Sequence, residues 1–201
     1  MDDTQVEELL CQALETEIGG VMVYEHAVRC ARNADLKKEW REYLDQTRNH
    51  ERILRDVFGV LKLDAEKETP GRKVVRHQGK SLVQAMLTAL KDGTPEAAQL
   101  VAAECVVLAE TKDHQNWELL AEVAKGLKGE AGRALTAACE KVEDEEDEHL
   151  YHTAGWAREL WLESLGLPAV LPPPEERKDV KTQAEAARAK DERQELASRG
   201  R

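Results

Sequence analysis

The chain has 201 residues, of which 34% are charged and 4% are aromatic, and its formal net charge is −11. This length suits one domain with a substantial core and an appended tail, and the abundance of Ala, Leu, Glu and Lys is typical of long helices. The acidic balance argues against a nucleic-acid-binding surface, since such surfaces need clustered Lys and Arg to neutralise phosphates.

Apolar periodicity and helix breakers predict four long helices and one shorter helix. The turn "NAD" separates the first two long helices. Pro95 marks a helix start, and "GLPAVLPPP" ends the last long helix because proline cannot continue one. In chain order, the predicted helices cover about residues 4–33, 36–61, 80–91, 95–127 and 130–165.

The connection between residues 62 and 95 is long enough to cross the length of a bundle. Two long hairpins joined by such a crossover predict an all-α four-helix bundle of two antiparallel hairpins, with a short extra helix in the crossover. We expect this domain to cover residues 1–167. Residues 168–201 form a Pro-rich break and a charged tail with little to bury, which we interpret as either helical or disordered.

The cysteines lie far apart and form no CxxC pair and no zinc-type spacing. We interpret them as buried or half-buried thiols of a reducing compartment, because each falls within a helical pattern. They are Cys11, Cys30, Cys105 and Cys139. The N-terminus lacks the features of a signal peptide, and no segment approaches the roughly 20 apolar residues that span a bilayer. We therefore expect a cytoplasmic protein with no membrane partner.

The fourth long helix contains "VEDEEDEHLYH", in which six acidic residues precede a histidine. Apolar residues recur along this helix at spacings of three and four, and Glu146 and His149 occupy two positions of that stripe. The neighbouring acids project to the flanks or to solvent. Most of the run is therefore a solvated face, whereas one glutamate and one histidine point toward the interior of the bundle.

The other three long helices also carry polar residues at the middle of their stripes. Glu17 interrupts the first stripe, His50 interrupts the second, and Glu110 and His114 interrupt the third. Counted from the hairpin turns, Glu17 lies within about one helical turn of His50, and Glu110 of Glu146. Each long helix therefore brings an ionisable group to the same level.

A cluster of buried ionisable groups needs compensation, because an isolated buried carboxylate costs several kcal/mol. Taken singly, a histidine in a stripe is more often a hydrogen-bonded core residue, and a glutamate is often a polar element that sets the register. Five such groups at one level favour a metal site, because a cation compensates carboxylates that would otherwise repel each other.

Carboxylates on two helices and Glu-x-x-His on the other two are the pattern of the ferritin-like di-iron or di-manganese carboxylate proteins. Over about residues 5–163 the chain resembles this superfamily, and most closely its rubrerythrin-like branch. The resemblance rests on "ETEIGGVMVYEH", "DQTRNHERIL", "AECVVLAETKDH" and "EEDEHLYH". It implies one or two iron or manganese ions per chain, held by Glu17, His50, Glu110, Glu146 and His149. Glu146 is the expected bridging or terminal ligand, and the other four are expected to be terminal ligands.

The second helix departs from the family pattern, because Thr47 stands where the glutamate of a Glu-x-x-His pair is expected. The ligand set is therefore incomplete. Three outcomes stay open: a site with one metal, a pair completed by His114 or Glu104, or a relict that binds no metal. Glu104 also competes with Glu110 for the ligand position, and both the level and the stripe favour Glu110.

The resemblance implies an oxidoreductase that acts on ferrous iron, O2 or peroxide, as a ferroxidase or a peroxidase does. Tyr24, one heptad after Glu17, is a candidate to hydrogen-bond a ligand or to carry an electron, although a core tyrosine with a satisfied hydroxyl is an equal interpretation. Metal ions and a small oxidant are the expected partners. A homo-oligomer such as a dimer is also expected, since bundles of this class usually associate.

A second hypothesis is a non-catalytic helical stress or scaffold module with a degenerate or single-metal site, which Thr47 favours. Two other metal sites are disfavoured. A hemerythrin-like site needs more histidine ligands than these stripes offer. A zinc protease site fails because Leu54 occupies the place of the second histidine of HExxH.

Overall fold

The computed structural model describes residues 1–199, so Gly200 and Arg201 at the end of the predicted tail lie outside it. The described chain contains helices and no strand, which confirms the all-α prediction. The helices are α1 Asp3–Cys30, α2 Ala34–Leu61, α3 Pro70–Asp92, α4 Pro95–Gly126, α5 Gly129–Ser164, α6 Pro174–Arg177 and α7 Gln183–Arg199.

Side-chain caps fix the starts of the first two long helices. Asp2 accepts hydrogen bonds from two backbone N–H groups at the start of α1, and Asn33 does the same for α2. Thr94 caps α4, with Pro95 in its first turn. Such caps satisfy amide groups that have no partner within the helix. The three-residue connection between α1 and α2 therefore follows from local sequence.

The long helices pack in a defined pattern. Helices α1 and α5 each pack against both α2 and α4, so α2 and α4 lie at opposite corners of the group. Helix α3 packs on the outside against α1 and α4. Groups on α2 can therefore meet groups on α4 only across the centre of the molecule.

Helix α3 is longer than predicted, with 23 residues starting at Pro70 rather than a short helix near residue 80. The first turns of this helix are basic and polar. Those basic residues are held by Glu15 of α1, which is 4% exposed and accepts hydrogen bonds from Arg72 Nε at 2.7 Å and Arg76 Nε at 2.7 Å. The crossover is thus a helix anchored to α1 by a buried ion pair.

Two apolar clusters fill the interior. The first apolar cluster includes Tyr24, Leu36, Trp40, Met86 and Trp156. The second apolar cluster includes Leu10, Leu14, Phe58, Trp117 and Leu135. Burying a side chain of this size contributes about 1.5–3 kcal/mol. On each of α1, α2, α4 and α5, a short buried polar segment separates the residues of the two clusters. We use the name polar layer for the following buried polar residues of these segments: Glu17, Thr47, His50, Glu110, Asp113, Glu146 and His149.

The described part of the tail is packed on the protein, which corrects the expectation that it has little to bury. Glu159 of α5 is 0% exposed and accepts hydrogen bonds from Arg158 and from Arg193 of α7, both through Nε. Glu175 of α6 is also buried and pairs with Arg158. Sequence periodicity could not reveal this docking, because it depends on ion pairs between distant residues.

The four cysteines are free thiols, three of them buried and Cys139 half-buried, as predicted. Among residues 1–199, no helix combines the length and apolarity needed to cross a bilayer.

Candidate metal centre

The structure brings together all five residues that the sequence singled out as the main ligands. Two groups of potential ligands form. One consists of Glu17, His50 and Glu146, and the other of Glu110, Glu146 and His149. In each group one donor atom per residue lies within 4.8 Å of the others. Glu146 belongs to both groups, so it lies between two adjacent half-sites.

His50 is oriented by a carboxylate outside the polar layer. Its Nε2 donates to Glu145 Oε2 at 2.6 Å, and this hydrogen bond lowers the pKa of Glu145. Its Nδ1 faces inward, 2.9 Å from Glu146 Oε1 and 3.8 Å from Glu17 Oε1, without hydrogen-bond geometry. Because Nε2 carries the proton, neutral His50 presents a free lone pair at Nδ1.

His149 has the same orientation in the second half-site. Its Nε2 lies 2.8 Å from Gln46 Oε1 and donates to it. Its Nδ1 faces inward, 3.5 Å from Glu110 Oε2 and 3.7 Å from Glu146 Oε1. Two histidines on different helices thus aim the same ring nitrogen at the shared glutamate.

The carboxylates of the polar layer are almost completely removed from solvent. Burial, with the nearby charge of Glu110, raises the pKa of Glu146 to about 8. Burial, with the charges of Asp113 and Glu146, raises the pKa of Glu17 well above its usual value. Trp117 Nε1 donates to Glu17 Oε1 at 2.8 Å, which opposes this shift only in part. Without a cation, Glu146 therefore holds a proton at neutral pH.

Many polar atoms of this layer have no hydrogen-bond partner, although buried polar groups in proteins are nearly always paired. They are Glu17 Oε2, His50 Nδ1, Glu110 Oε2, Asp113 Oδ1, both carboxylate oxygens of Glu146, and His149 Nδ1. All of these atoms are oxygens or imidazole nitrogens, which can donate a lone pair to a metal ion. The residues therefore fit a bound metal ion, which would accept several of these lone pairs at once.

Asp113 is a buried residue of the polar layer that the sequence analysis missed. It is 4% exposed and lies one helical turn after Glu110 on α4. The predicted stripe placed Val107 and His114 inward, whereas Val106 and Asp113 are the buried residues. The Ala-rich surface of α4 left the stripe ambiguous by one position. The spacing "ETKD", an acid three residues after Glu110, was the available signal.

The three additional candidates do not point donor atoms into the layer. Glu104 is exposed and accepts a hydrogen bond from Trp161. His114 lies on the outer side of α4, with Nδ1 3.3 Å from Asp147 Oδ1. Thr47 is buried, but its hydroxyl donates to the Tyr43 backbone carbonyl at 2.8 Å. In this arrangement neither His114 nor Glu104 lies where it would complete the site.

Comparison with known proteins does not extend this picture. No protein-family model matches the chain, and no curated protein or solved structure is significantly similar to it.

Two tyrosines border the centre in different ways. Tyr24 is fully buried, its hydroxyl has no hydrogen-bond partner, and burial raises its pKa well above the usual value. The ring of Tyr43 lies 4.3 Å from that of His149, and its hydroxyl donates to Glu39 Oε1 at 2.6 Å. His152 Nδ1 lies 2.9 Å from the same hydroxyl. Tyr43 therefore connects the centre to a polar network.

A cavity of about 290 Å³ reaches the shared glutamate from outside α4 and α5. Its lining includes His114, Trp117, Glu146, Asp147 and Tyr151. Burial raises the pKa of Asp147 to about 6, and the charge of His114 opposes this shift. The cavity brings a small molecule or ion next to the side chain of Glu146, whose carboxylate oxygens are themselves buried.

Proposed function

We propose that the polar layer binds one or two iron or manganese ions within a ferritin-like four-helix bundle formed by α1, α2, α4 and α5. The observation that carries this proposal is the pair of half-sites that share Glu146. Each half-site combines carboxylates with an imidazole whose Nδ1 faces inward and whose Nε2 is anchored. Chance burial of polar residues would not orient both rings in the same way.

The ligand chemistry favours iron or manganese, since carboxylate-rich sites with few imidazoles suit these metals better than copper or zinc. A bound ion of this kind supplies one-electron chemistry toward O2 or peroxide. The chain itself supplies the site and its protons. Glu146, whose pKa is raised to about 8, holds a proton at neutral pH when no cation is present and releases it as the cation binds.

We propose further that the protein is an oxidoreductase acting on ferrous iron, O2 or peroxide. The cavity that ends at Glu146 supports this reaction, because a substrate of two atoms or a hydrated ion fits within about 290 Å³. A cytoplasmic location and a homo-oligomer such as a dimer complete the proposal, and size-exclusion chromatography with light scattering tests the latter.

Elemental analysis of the full chain, purified from cells supplied with iron or manganese, tests the site. We expect one or two ions per chain in the parent, none in Glu146→Ala, and the parental content in Glu140→Ala. Glu140 is an exposed glutamate of the same helix and serves as the matched control. Oxidation of ferrous iron by O2 and consumption of peroxide are then measured on the loaded parent. A metal-free parent would refute the site.

The second candidate function is a non-catalytic helical module with a degenerate or single-metal site. The hydroxyl of Thr47 favours it, because that hydroxyl is committed to the backbone and leaves α2 with His50 alone. This candidate predicts a folded chain that neither oxidises ferrous iron nor consumes peroxide when loaded with metal. Turnover lost in Glu146→Ala and retained in Glu140→Ala would exclude it.

A further inference from the structure

A second cavity lies between α1, α3 and α4, and it shares no lining residue with the cavity beside Glu146. We call it the lateral cavity, and its volume is about 350 Å³. Small-molecule sites in proteins typically measure about 300–1,000 Å³ and combine mostly apolar walls with a few placed polar groups. The lateral cavity has the size of such a site, and the proposed metal chemistry does not use it.

The walls of the lateral cavity are mainly aliphatic. They are formed by side chains of all three helices, namely Val23, Val75, Leu82, Leu108 and Ala109. Water makes few hydrogen bonds against such walls, so its replacement by a hydrocarbon chain is favourable. A cavity of ~150 Å³ holds benzene, so a cavity of about 350 Å³ holds about a dozen non-hydrogen atoms. A medium-length alkyl chain therefore fits the lateral cavity.

Lys112 of α4 adds a positive charge to these aliphatic walls. It lines the lateral cavity and is half-buried. Its Nζ donates a hydrogen bond to Asn116, which is 0% exposed and in turn donates to the Thr16 hydroxyl at 2.9 Å. A lysine ammonium has three N–H donors, and Asn116 takes one of them. Two donors of a positioned ammonium are therefore left for a ligand.

The charge of Lys112 is not neutralised by an ion pair within the part of the chain that the structure describes. The carboxylate in the lining, Glu15, is already held by Arg72 Nε and Arg76 Nε at 2.7 Å each. Asp113, the next residue along α4, is hydrogen-bonded toward Glu17 in the polar layer. Because burial of a charged group without a partner is unfavourable, an anion in the lateral cavity would be stabilised by Lys112.

We propose that the lateral cavity binds a medium-chain aliphatic carboxylate, with its carboxylate on Lys112 Nζ and its alkyl chain along the aliphatic walls. One ammonium neutralises one monoanion. A phosphate dianion would keep an uncompensated charge in a chain whose net charge is already −11, so a carboxylate is the better match. The site uses no ligand of the proposed metal centre and does not depend on a bound metal.

Calorimetric titration of the full chain with octanoate tests the site. We expect one octanoate per chain and about 10-fold weaker binding in Lys112→Gln, because a hydrogen-bonded charge partner is removed. Lys125→Gln is the matched control, since Lys125 is an exposed lysine of the same helix that pairs with Glu122. It should bind octanoate as the parent does. 1-Octanol, which lacks the charge, should bind the parent and Lys112→Gln equally.

A second variant tests the walls. Ala109→Phe places a ring in the lateral cavity from α4, and we expect it to abolish the binding of both octanoate and 1-octanol. Circular dichroism checks that this variant is folded. The chain stripped of metal by a chelator should bind octanoate as strongly as the metal-loaded chain, because the site is separate from the polar layer.

Four outcomes would overturn the proposal. They are a parent that binds no octanoate, equal octanoate binding in the parent and Lys112→Gln, unchanged binding in Ala109→Phe, and binding lost with the metal. The last would place the carboxylate on the metal centre. Light scattering adds a further check through Leu108, which is 61% exposed. A dimer that Leu108→Glu separates, with octanoate bound by neither form, would show that a second copy covers the cavity instead.

Discussion

The two half-sites share Glu146 but are held in different ways. In the Glu110/His149 half, α5 supplies an intact Glu-x-x-His pair, and a neutral amide anchors the histidine. In the Glu17/His50 half, α2 supplies only the histidine, and its anchor is the carboxylate of Glu145. A charged anchor makes the ring nitrogen a stronger donor to a cation. The half in which α2 supplies only a histidine thus has the charged anchor for that histidine.

Removal of one histidine at a time is the strongest test of whether the two half-sites differ and act separately. In a chain that binds two ions, we expect His50→Ala to lose the ion of the Glu17 half and His149→Ala to lose the ion of the Glu110 half, each leaving one ion per chain. The double variant should bind none, since each remaining half lacks its imidazole. Metal content per chain, measured on equal amounts of folded protein, checks the outcome. Loss of both ions in either single variant would show that the halves are not separable.

Changing the residues that anchor the two histidines, Glu145 and Gln46, tests how the anchor affects each half-site. Glu145→Gln gives His50 a neutral anchor. We expect the metal affinity of that half-site to fall by about 10-fold, at the lower end of the usual effect of changing a hydrogen-bond partner of a metal ligand. Gln46→Glu should strengthen the other half-site for the same reason. Calorimetric titration with Mn²⁺ measures both. An equal change at both half-sites would point to overall charge rather than to the anchors.

The pH dependence of stability tests the shared glutamate. The unfolded chain loses the Glu146 proton near the ordinary value of 4.5, whereas the folded chain holds it to about 8. The folded state therefore binds more protons than the unfolded state between these two pKa values. The stabilisation that this proton provides is fully present below the unfolded-state pKa and is lost as the pH rises through the folded-state pKa. We expect a fall of up to about 1.4 kcal/mol per pH unit for this proton.

Thermal unfolding of the metal-free chain at about pH 5 and about pH 8 measures this fall, and the raised pKa of Glu17 adds to it in the same direction. Added metal should reverse the trend, because binding is favoured when the carboxylates are ionised. Glu146→Gln, which cannot titrate, should flatten the dependence. A metal-free chain that gains stability as the pH rises would contradict the assignment.

The smallest expected effect concerns Thr47. Thr47→Val keeps the shape of the side chain and removes a hydroxyl that bonds only to the Tyr43 carbonyl. We expect unchanged metal content and a change in the free energy of unfolding of about 1 kcal/mol or less. Loss of an ion in this variant would show that the hydroxyl is a ligand after all.

The long helices and the central position of their polar residues could be predicted from the sequence, because periods of three and four residues report directly which face of a helix is buried. Glu17 and His50 fall on stripes with clear apolar neighbours, and the structure places both in the layer. On α4 the Ala-rich surface defines no sharp face, so periodicity predicted His114 to face inward, whereas Asp113 is the buried residue. The role of these residues as ligands stays a prediction.

Contacts between helices could not be read from a single sequence. Glu145 lies on the flank of its helix, as expected. It nevertheless reaches His50, because α2 and α5 are adjacent and the helix faces that carry these two side chains are turned toward each other. The same holds for Gln46 and His149. Such partners depend on the relative rotation of two helices, which apolar periodicity does not determine.

The docking of α7 changes where the chain can be cut. The predicted end of the domain at residue 167 falls before Arg193, which contacts Glu159 of α5 and the Pro168 carbonyl at the start of the proline-rich turn. A protease that nicks this turn would leave two fragments held together by that arginine. Truncation at residue 167 would instead leave Glu159 with Arg158 as its remaining partner, so a shortened chain intended for crystallisation or fusion should extend beyond Arg193.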